Sequence, residues 1–414
     1  MEHVERSSKL RAGLALLFLL VAACGGTGGD PRAGPPAPPP SQAPVPAPGP
    51  APVPVPSPPP SPTAVQWGIF PSASQVIGQS SFEARVIDPD PAVSLNRPQG
   101  AVAVSPAGDL YVAESPNDVR LNIFSDYQNS IPGSAPDFSM SFTQPLYSAS
   151  ISGGKLFLPG YDSVLYYDAV PASLPTEIDN FVGNRSRACV ARDLANAMSA
   201  QLTPDGRLVV VDNNNHRVLI FDRLPEWVGQ EVIPSVVIGQ TGLSSCEPGA
   251  GPSSLDRPTS AWTDGTRLIV ADTGNHRVLI WDSLPSGVAA PAHHVIGQLT
   301  MAGDQPNAGQ AFPSEYTLFS PASVDVSETG QLAVADTGNN RVLIWDRIPQ
   351  ANGQPANHVI GQPGFVSGDE NAGGGVLAPG AKTLRGPTGV KFHGRKLIVT
   401  DTMNLRVLVW RALD

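Results

Sequence analysis

One turn pattern recurs four times in the second half of the chain and constrains the fold more than any other feature. Each copy is a run of β-branched and aromatic residues, then Asp-x-x-Asn-x-Arg, then a second such run. The four aspartates, Asp212, Asp272, Asp336 and Asp401, are 60, 64 and 65 residues apart. Such a period is typical of repeat architectures, in which each unit buries its apolar surface only against its neighbours.

Two weaker copies lie upstream. The first is Leu110–Glu114 with Arg120–Phe124, and the second is Leu156–Gly160 with Val164–Tyr167. In the first, Glu114 stands in place of Asp, and in the second Val164 follows no Asn-x-Arg. With these two copies the chain contains six units, which decides the expected fold class.

Each unit is predicted to form four strands. The two runs around the turn are apolar on both faces, so they must be covered on both sides, and Asp, Asn and Gly in the turn supply the positive φ of a tight reversal. A short stretch opened by proline or its equivalent precedes each hairpin, for example at Pro258 and Pro387, and Val-Ile-Gly-Gln occurs with starts at Val76, Val237, Val295 and Val359. Six such meanders predict an all-β, six-bladed β-propeller of four-stranded antiparallel blades.

The chain ends predict how the ring closes. The first Val-Ile-Gly-Gln has no hairpin before it, and the last hairpin has no Val-Ile-Gly-Gln after it. We therefore expect Gln75–Gln79 to pair with Arg406–Trp410 as the fourth, outer strand of the last blade.

These residues resemble the NHL-repeat family of six-bladed propellers, whose motif has the form strand–Asp–x–x–Asn–x–Arg–strand. The resemblance covers nearly all of Val65–Asp414 and implies the propeller fold. The family's activities are diverse: RNA-binding modules, a peptide-amidating lyase and many surface proteins without assigned chemistry. The fold therefore does not imply one function.

The N-terminus resembles a bacterial lipoprotein signal. Arg6, Lys9 and Arg11 precede an apolar run over residues 12–23, which is shorter than the roughly 20 residues of a membrane span, and Ala22-Ala23 precede Cys24. The resemblance implies a signal peptide over 1–23, a lipidated Cys24, and a protein anchored in the bacterial cell envelope. Gly25 in place of Asp favours the outer membrane. The alternative is an ordinary cleaved signal with an incidental cysteine.

Residues 24–63 are expected to link this anchor to the propeller at 64–414. Of residues 31–63, 17 are proline, and proline lacks the N–H that helices and ladders need. A polyproline II stalk is the leading interpretation, and a ligand for proline-binding grooves is the alternative.

The repeated polar residues are interpreted as structural, because identical copies in four blades cannot supply the different roles of a catalytic site. Asp and Asn are expected to cap their own turns, and Arg to bridge to a neighbouring blade's carboxylate. The twelve residues are Asp212, Asn215, Arg217, Asp272, Asn275, Arg277, Asp336, Asn339, Arg341, Asp401, Asn404 and Arg406. No catalytic residue is predicted.

Cys189 and Cys246 remain after Cys24 is set aside, an even number in an oxidising compartment. Both fall in the loop after a fourth strand, so a disulfide between blades two and three is favoured over two free thiols.

The loops after the fourth strands are long and must cross one face of the disc, which is the predicted binding surface together with the channel mouth. No cofactor is required by the sequence. Two acidic pairs on these loops, Asp88 with Asp90 and Asp369 with Glu370, are weak candidates for a calcium site, because hard cations prefer oxygen ligands. The alternative is that they are solvated loop acids.

A formal charge of −10 and the lack of a Lys/Arg cluster exclude a nucleic-acid binder. The leading function is a membrane-anchored, monomeric scaffold that presents the propeller to a protein, peptide or glycan. The alternative is a hydrolase or lyase acting at the central channel, as in the similarly six-bladed gluconolactonases with their calcium. Three or more convergent Asp, Glu, Asn or His side chains at the channel mouth would favour the enzyme.

Overall fold

The computed structural model describes residues 65–87, 94–115, 119–171, 178–183 and 189–413. The predicted signal peptide over 1–23, Cys24 and the proline-rich segment up to residue 63 lie outside these ranges, as do Asp88 and Asp90. None of the helices in the described ranges combines the length and the apolar composition that a bilayer crossing requires.

The described chain forms six four-stranded antiparallel sheets, which we number as blades in chain order. The chain begins with β1 (Gln75–Ile77). Blade 1 contains β2 (Ala103–Val104), β3 (Leu110–Glu114), β4 (Arg120–Phe124) and β5 (Phe138–Ser141). Blade 2 contains β6 (Ser150–Ser152), β7 (Lys155–Pro159), β8 (Val164–Tyr167) and β9 (Asn180–Val182). Blade 3 contains β10 (Ala197–Leu202), β11 (Leu208–Asp212), β12 (Arg217–Phe221) and β13 (Val236–Ile238).

The remaining three blades repeat this order. Blade 4 contains β14 (Ser260–Thr263), β15 (Leu268–Asp272), β16 (Arg277–Trp281) and β17 (His294–Ile296). Blade 5 contains β18 (Pro321–Val326), β19 (Leu332–Asp336), β20 (Arg341–Trp345) and β21 (His358–Ile360). Blade 6 contains β22 (Pro387–His393), β23 (Lys396–Asp401) and β24 (Arg406–Arg411), with β1 as its fourth strand.

The ring closes as the sequence predicts. β1 pairs antiparallel with β24, and Gln75, Val76 and Ile77 lie opposite Val409, Leu408 and Val407. The predicted six-bladed propeller, closed by the first strand of the chain, is therefore confirmed.

The repeated hairpin turns share one backbone conformation. A single 3₁₀ turn follows the aspartate, and the next residue is left-handed, with φ of 52° at His216, 54° at His276, 52° at Asn340 and 59° at Leu405. The 3₁₀ turns in the described ranges are Tyr127–Asn129, Asn213–Asn215, Thr273–Asn275, Pro306–Gly309, Thr337–Asn339, Glu370–Gly373 and Thr402–Asn404. The positive φ is thus found at the residue before the arginine, and the expectation that Asp, Asn or Gly supplies it holds only at Asn340.

The core consists of apolar layers between blades. Each cluster of buried side chains in the described ranges joins two neighbouring blades, and together the clusters link all six blades into a closed ring. Strands such as β16 therefore bury residues on both faces, which explains their unbroken apolar runs.

Candidate functional site

The candidate site is one face of the propeller, which we call the loop face. It consists of the loops that lead from the fourth strand of one blade to the first strand of the next, together with the turns between second and third strands. The side chains that hold these loops in place come from the repeated motif, so its geometry is described first.

In blade 4, Asp272 and Arg277 form a fully buried ion pair. Arg277 Nε lies 2.7 Å from Asp272 Oδ2, and both side chains are 0% exposed. Asn275 Nδ2 donates to the same oxygen at 2.8 Å. Equivalent ion pairs with their asparagine donors hold the turns of blades 3, 5 and 6: Asp212 with Asn215 and Arg217, Asp336 with Asn339 and Arg341, and Asp401 with Asn404 and Arg406.

The remaining polar atoms of the pair bind the loops on either side of the blade. Asp272 Oδ1 accepts the N–H of Asp256 at 2.7 Å, in the loop that enters blade 4. Arg277 Nη2 donates to the carbonyls of Gly251 and Ser254 in that loop, and Nη1 donates to the Met301 carbonyl in the loop that leaves the blade. Two expectations are therefore wrong: the arginine pairs with the aspartate of its own hairpin, and the aspartate caps the preceding loop instead of its own turn.

Burial and ion pairing act in opposite directions on these carboxyl groups. Desolvation raises the pKa of Asp272 to about 6, and the Arg277 charge and the hydrogen-bond donors lower it in part. Burial likewise raises the pKa of Asp212, Asp336 and Asp401, although the charge of the paired arginine lowers it in part. The Arg277 charge and the hydrogen-bond donors favour the ionised form of Asp272, in which both carboxylate oxygens accept the hydrogen bonds that hold the turn and the entering loop.

Blades 1 and 2 depart from this arrangement, as their weak motifs indicate. In blade 1, Glu114 Oε2 accepts from Arg120 at 2.8 Å and from Asn122 at 2.7 Å, and Oε1 accepts main-chain N–H groups of the entering loop. In blade 2, the equivalent register positions are Gly160 and Ser163, which carry no charge.

A second set of contacts, which the sequence reasoning missed, joins each regular blade to the next. The residue after the aspartate donates to the carbonyl of the proline that opens the next first strand. The pairs are Asn213 with Pro258, Thr273 with Pro321, Thr337 with Pro387 and Thr402 with Pro98, at 2.9, 2.6, 2.6 and 2.8 Å. The signal was available, because a short polar residue follows Asp and a proline opens the next strand in every regular unit.

The left-handed turn residue makes a third set of contacts. His216 Nδ1 accepts the N–H of Arg257 at 3.1 Å, His276 Nδ1 that of Ser320 at 3.1 Å, and Asn340 Oδ1 that of Gly386 at 2.8 Å. These histidines therefore order the residue before the next blade's proline.

The glutamine of Val-Ile-Gly-Gln fixes the start of each loop. Gln362 Nε2 donates to the carbonyls of Asn340, in the turn, and Asp369, seven residues further along the chain. Gln79, Gln240 and Gln298 make the same paired contacts. The preceding glycine is required as well: Gly361 has a φ of +90°, and a Cβ there would lie 2.5 Å from Leu384.

The central channel is lined by the first strands of all six blades, mostly with Ala, Val and Ser, together with larger side chains such as Gln201, Trp262 and Lys391. Asp325 is the acidic residue among the described residues that line it. Its carboxylate is neutralised by Lys391 Nζ at 3.0 Å and accepts the N–H of Phe392 at 2.7 Å. Among the described residues, the channel lining therefore does not bring together the three or more Asp, Glu, Asn or His side chains that would favour the enzyme.

The predicted disulfide is confirmed. Cys189 and Cys246 are bonded, with 6.1 Å between their Cα atoms, and they join the loops that follow blades 2 and 3.

The calcium candidates are not gathered into a site within the described ranges. Asp369 contributes a main-chain carbonyl to Gln362, and Glu370 Oε2 lies 3.1 Å from Arg385 Nε. No cluster of three or more His, Cys, Asp or Glu side chains suited to a metal occurs among the described residues. Because Asp88 and Asp90 are outside them, the calcium site stays a prediction.

Exposed apolar side chains are concentrated on one half of the loop face. Phe312 is 72% exposed and Leu377 is 88% exposed, on the loops that lead into blades 5 and 6. The same two loops also expose Tyr316, Val366 and Val376. The loop into blade 1 exposes Val86 and Ile87, and the blade 6 turn exposes Met403. Arg85 and Arg385 both donate to the Met403 carbonyl, so the loops into blades 6 and 1 meet at this turn.

Comparison with known proteins supports the repeat and the fold. A family model described as NHL repeat matches residues 200–221 and 320–345, which span first to third strands of blades 3 and 5. No curated protein matches the sequence significantly.

Among solved structures, a structural genomics protein of unknown function from Bacteroides thetaiotaomicron VPI-5482 is similar, with a TM-score of 0.50, 13% identity, and coverage of 82% of this chain and 76% of that chain. A chain of a mitotic checkpoint complex has a TM-score of 0.47 at 13% identity, covering 84% and 98%. The WD40 β-propeller domain of Doa1 has a TM-score of 0.45 at 10% identity, covering 84% and 95%. At 13% identity, the likeness to the Bacteroides thetaiotaomicron protein concerns the fold alone.

Proposed function

We propose that this six-bladed β-propeller with NHL repeats is a binding scaffold of the bacterial cell envelope, which presents its loop face to a protein, peptide or glycan. The observation that carries the proposal is the cluster of exposed apolar side chains on the loops into blades 5, 6 and 1. Exposed apolar groups gathered on one surface mark interaction sites, whereas scattered ones do not.

The anchoring of these loops supports the proposal. Main-chain atoms on both sides of each regular blade are bonded to buried Arg, Asp and Gln side chains, so little loop entropy remains to be lost on binding. Arg341, for example, donates to the carbonyls of Ser314 and Thr317, next to exposed Tyr316. Such preorganisation favours affinity.

A protein or peptide suits this surface better than a glycan, because most of its exposed apolar residues are aliphatic. Leu377, Val366 and Val376 offer no ring for a sugar to stack on. The lactonase-like alternative is not adopted, since Asp325 in the channel is already paired with Lys391.

Site-specific photocrosslinking in intact cells tests the loop face. A photoreactive phenylalanine analogue at position 312 should give a discrete crosslinked product, and Leu377→Glu should abolish it. The matched control is the same analogue at Trp227, which is 61% exposed on a loop between third and fourth strands. Equal products from both positions, or none from position 312, would show the proposal to be wrong.

The envelope location is part of the same proposal and rests on the resemblance around Cys24. Two or three acyl chains at Cys24 would anchor the protein stably, which one chain would not. Metabolic labelling with a radioactive fatty acid should mark the protein, and Cys24→Ala should remove both the label and the association with outer-membrane fractions. Label that persists in Cys24→Ala would contradict the anchor.

A further inference from the structure

The outer edges of blades 3 and 4 are covered by the next blade. Val237 C=O in β13 accepts the N–H of Ala289 at 3.2 Å. Val295 in β17 is covered more fully, since its C=O accepts the N–H of Gly353 at 2.8 Å and its N–H donates to Asn352 Oδ1 at 3.0 Å. In both cases the covering residues belong to the loop between the third and fourth strands of the following blade. Covering of this kind protects an edge strand from foreign pairing.

Blade 6 has no such continuous loop, because its third strand is the last of the chain and its fourth strand is the first. Residues 65–74 stand in its place. Trp410 Nε1 donates to the Pro71 carbonyl, as Trp345 does to Gln354 and Trp281 to Ala290. By this alignment Phe70, with a φ of 46°, corresponds to Gly353 and Ala289.

The edge of β21 in blade 5 is the one that this segment would have to cover. Val359 holds the register position of Val295 and Val237, opposite Leu343. Val295 and Val237 are fully buried, whereas Val359 is only partly buried. Within the described ranges, no residue outside the blade bonds the main chain of Val359.

A groove follows this edge. It is lined by Ile69 and Phe70 on one side, Val359 along the strand, and Phe365 on the other side. Ile69 is 97% exposed, although its counterpart Val288 beside the covered edge is 49% exposed. Trp67 also lines the groove, is 5% exposed, and its buried Nε1 has no hydrogen-bond partner in the described part of the chain.

We propose that this groove binds an extended segment of a partner protein, which adds to β21 as a fifth strand. An extended main chain offers, at the spacing of a strand, both an N–H for the Val359 carbonyl and a carbonyl for the Val359 N–H. An apolar side chain of the segment would pack against Ile69 and Phe365. Proline takes 17 of the 33 positions in residues 31–63 of this chain and supplies no N–H, so this segment offers fewer donors to the edge than an ordinary strand does. The groove shares Phe365 with the loop into blade 6, but its strand edge and Ile69 lie outside the loop face, and the inference goes beyond the function proposed there.

Amide hydrogen exchange on the full-length protein tests the open edge first. The Val359 amide should exchange at least about tenfold faster than the Val295 amide, because only the latter has an acceptor. Equal protection at low protein concentration would mean that the chain covers its own edge. Protection that rises with protein concentration would mean that a second copy does. Either result overturns the proposal.

Binding is then measured with a synthetic peptide, acetyl-Thr-Val-Thr-Ile-Thr-Val-amide, as the probe. It should slow exchange at Val359, and the same peptide with alternate N-methyl groups should not. Ile69→Glu should abolish the effect, whereas Val288→Glu, the matched control, should leave it intact. Protection by both peptides, or insensitivity to Ile69→Glu, would exclude strand addition. Leu377→Glu, which tests the loop face, should leave this binding unchanged, so the two proposals fail separately.

Discussion

Blades 3 to 6 hold their hairpin turns by a fully buried Asp–Arg pair, whereas blade 2 has Gly160 and Ser163 at the same register positions. Both kinds of blade nevertheless form four strands and contribute to the same ring of apolar layers. Blade 1 is intermediate, because Glu114 and Arg120 form a related pair on a shifted spacing. The buried ion pair is therefore not required for a blade to form its four strands.

The difference lies in the loops that the pair serves. In blade 4, one arginine reaches carbonyls in both the entering and the leaving loop. In blade 2, the entering loop from β5 to β6 is short, and the longer leaving loop carries Cys189 of the disulfide instead. The buried pair is thus a device for fixing long loops, and the loop face is built on the blades that carry it.

The largest expected effect comes from breaking one pair. Arg341→Met leaves the Asp336 carboxylate buried without a counter-charge and frees the carbonyls of Ser314 and Thr317. It should lower the free energy of unfolding by about 3 to 5 kcal/mol in urea titrations. Asp336→Leu combined with Arg341→Met should be less damaging, because it makes the site uncharged like that of blade 2. A double variant less stable than Arg341→Met would contradict the comparison.

The disulfide links the loop after blade 2, an irregular blade, to the loop after blade 3, a regular one. Cys189 and Cys246 are 57 residues apart. Closing a loop of this length removes conformational entropy from the unfolded chain and raises its free energy by about 4 kcal/mol. Cys189→Ser with Cys246→Ser should therefore cost about 2 to 4 kcal/mol in urea titrations.

Reduction of the unmodified protein is the control and should lower stability by the same amount. The loss of exchange protection should be confined to the loops after blades 2 and 3, and should not reach the loop into blade 6. A loss of less than about 1 kcal/mol, or one spread over all blades, would mean that the bond does not serve this junction.

The fold was predictable because repetition supplies its own internal comparison. Four near-identical hairpins, and chain ends that complete each other, were enough to place β1 against β24. The faint motifs of blades 1 and 2 were placed by spacing, and Glu114 was correctly recognised as the counterpart of the aspartates.

The direction of the side-chain contacts was not predictable in the same way. Arg277 has acceptors in loops that precede and follow its hairpin, and the repeat itself does not show which loop lies closest. The sequence showed that these loops are long, but it did not show that buried side chains bond to their main chain. The open edge of β21 was also hidden, since it results from the position of the chain ends relative to blade 5.

The smallest expected effect compares one position in a regular and an irregular blade. Thr337 Oγ1 donates to the Pro387 carbonyl at 2.6 Å and joins blade 5 to blade 6. Ser115, which follows Glu114 in blade 1, has a buried Oγ without a hydrogen-bond partner among the described residues. Thr337→Val keeps the shape of the side chain and should cost about 1 kcal/mol, the net value of one hydrogen bond. Ser115→Ala should be neutral or slightly stabilising, because it removes a hydroxyl that was desolvated without compensation. Both values can be read from thermal unfolding of variants prepared in parallel. If the comparison is right, Ser115→Ala costs less than Thr337→Val. An equal cost would mean that an equivalent hydrogen bond holds the junction after blade 1. The regular and irregular blades would then not differ at their junctions.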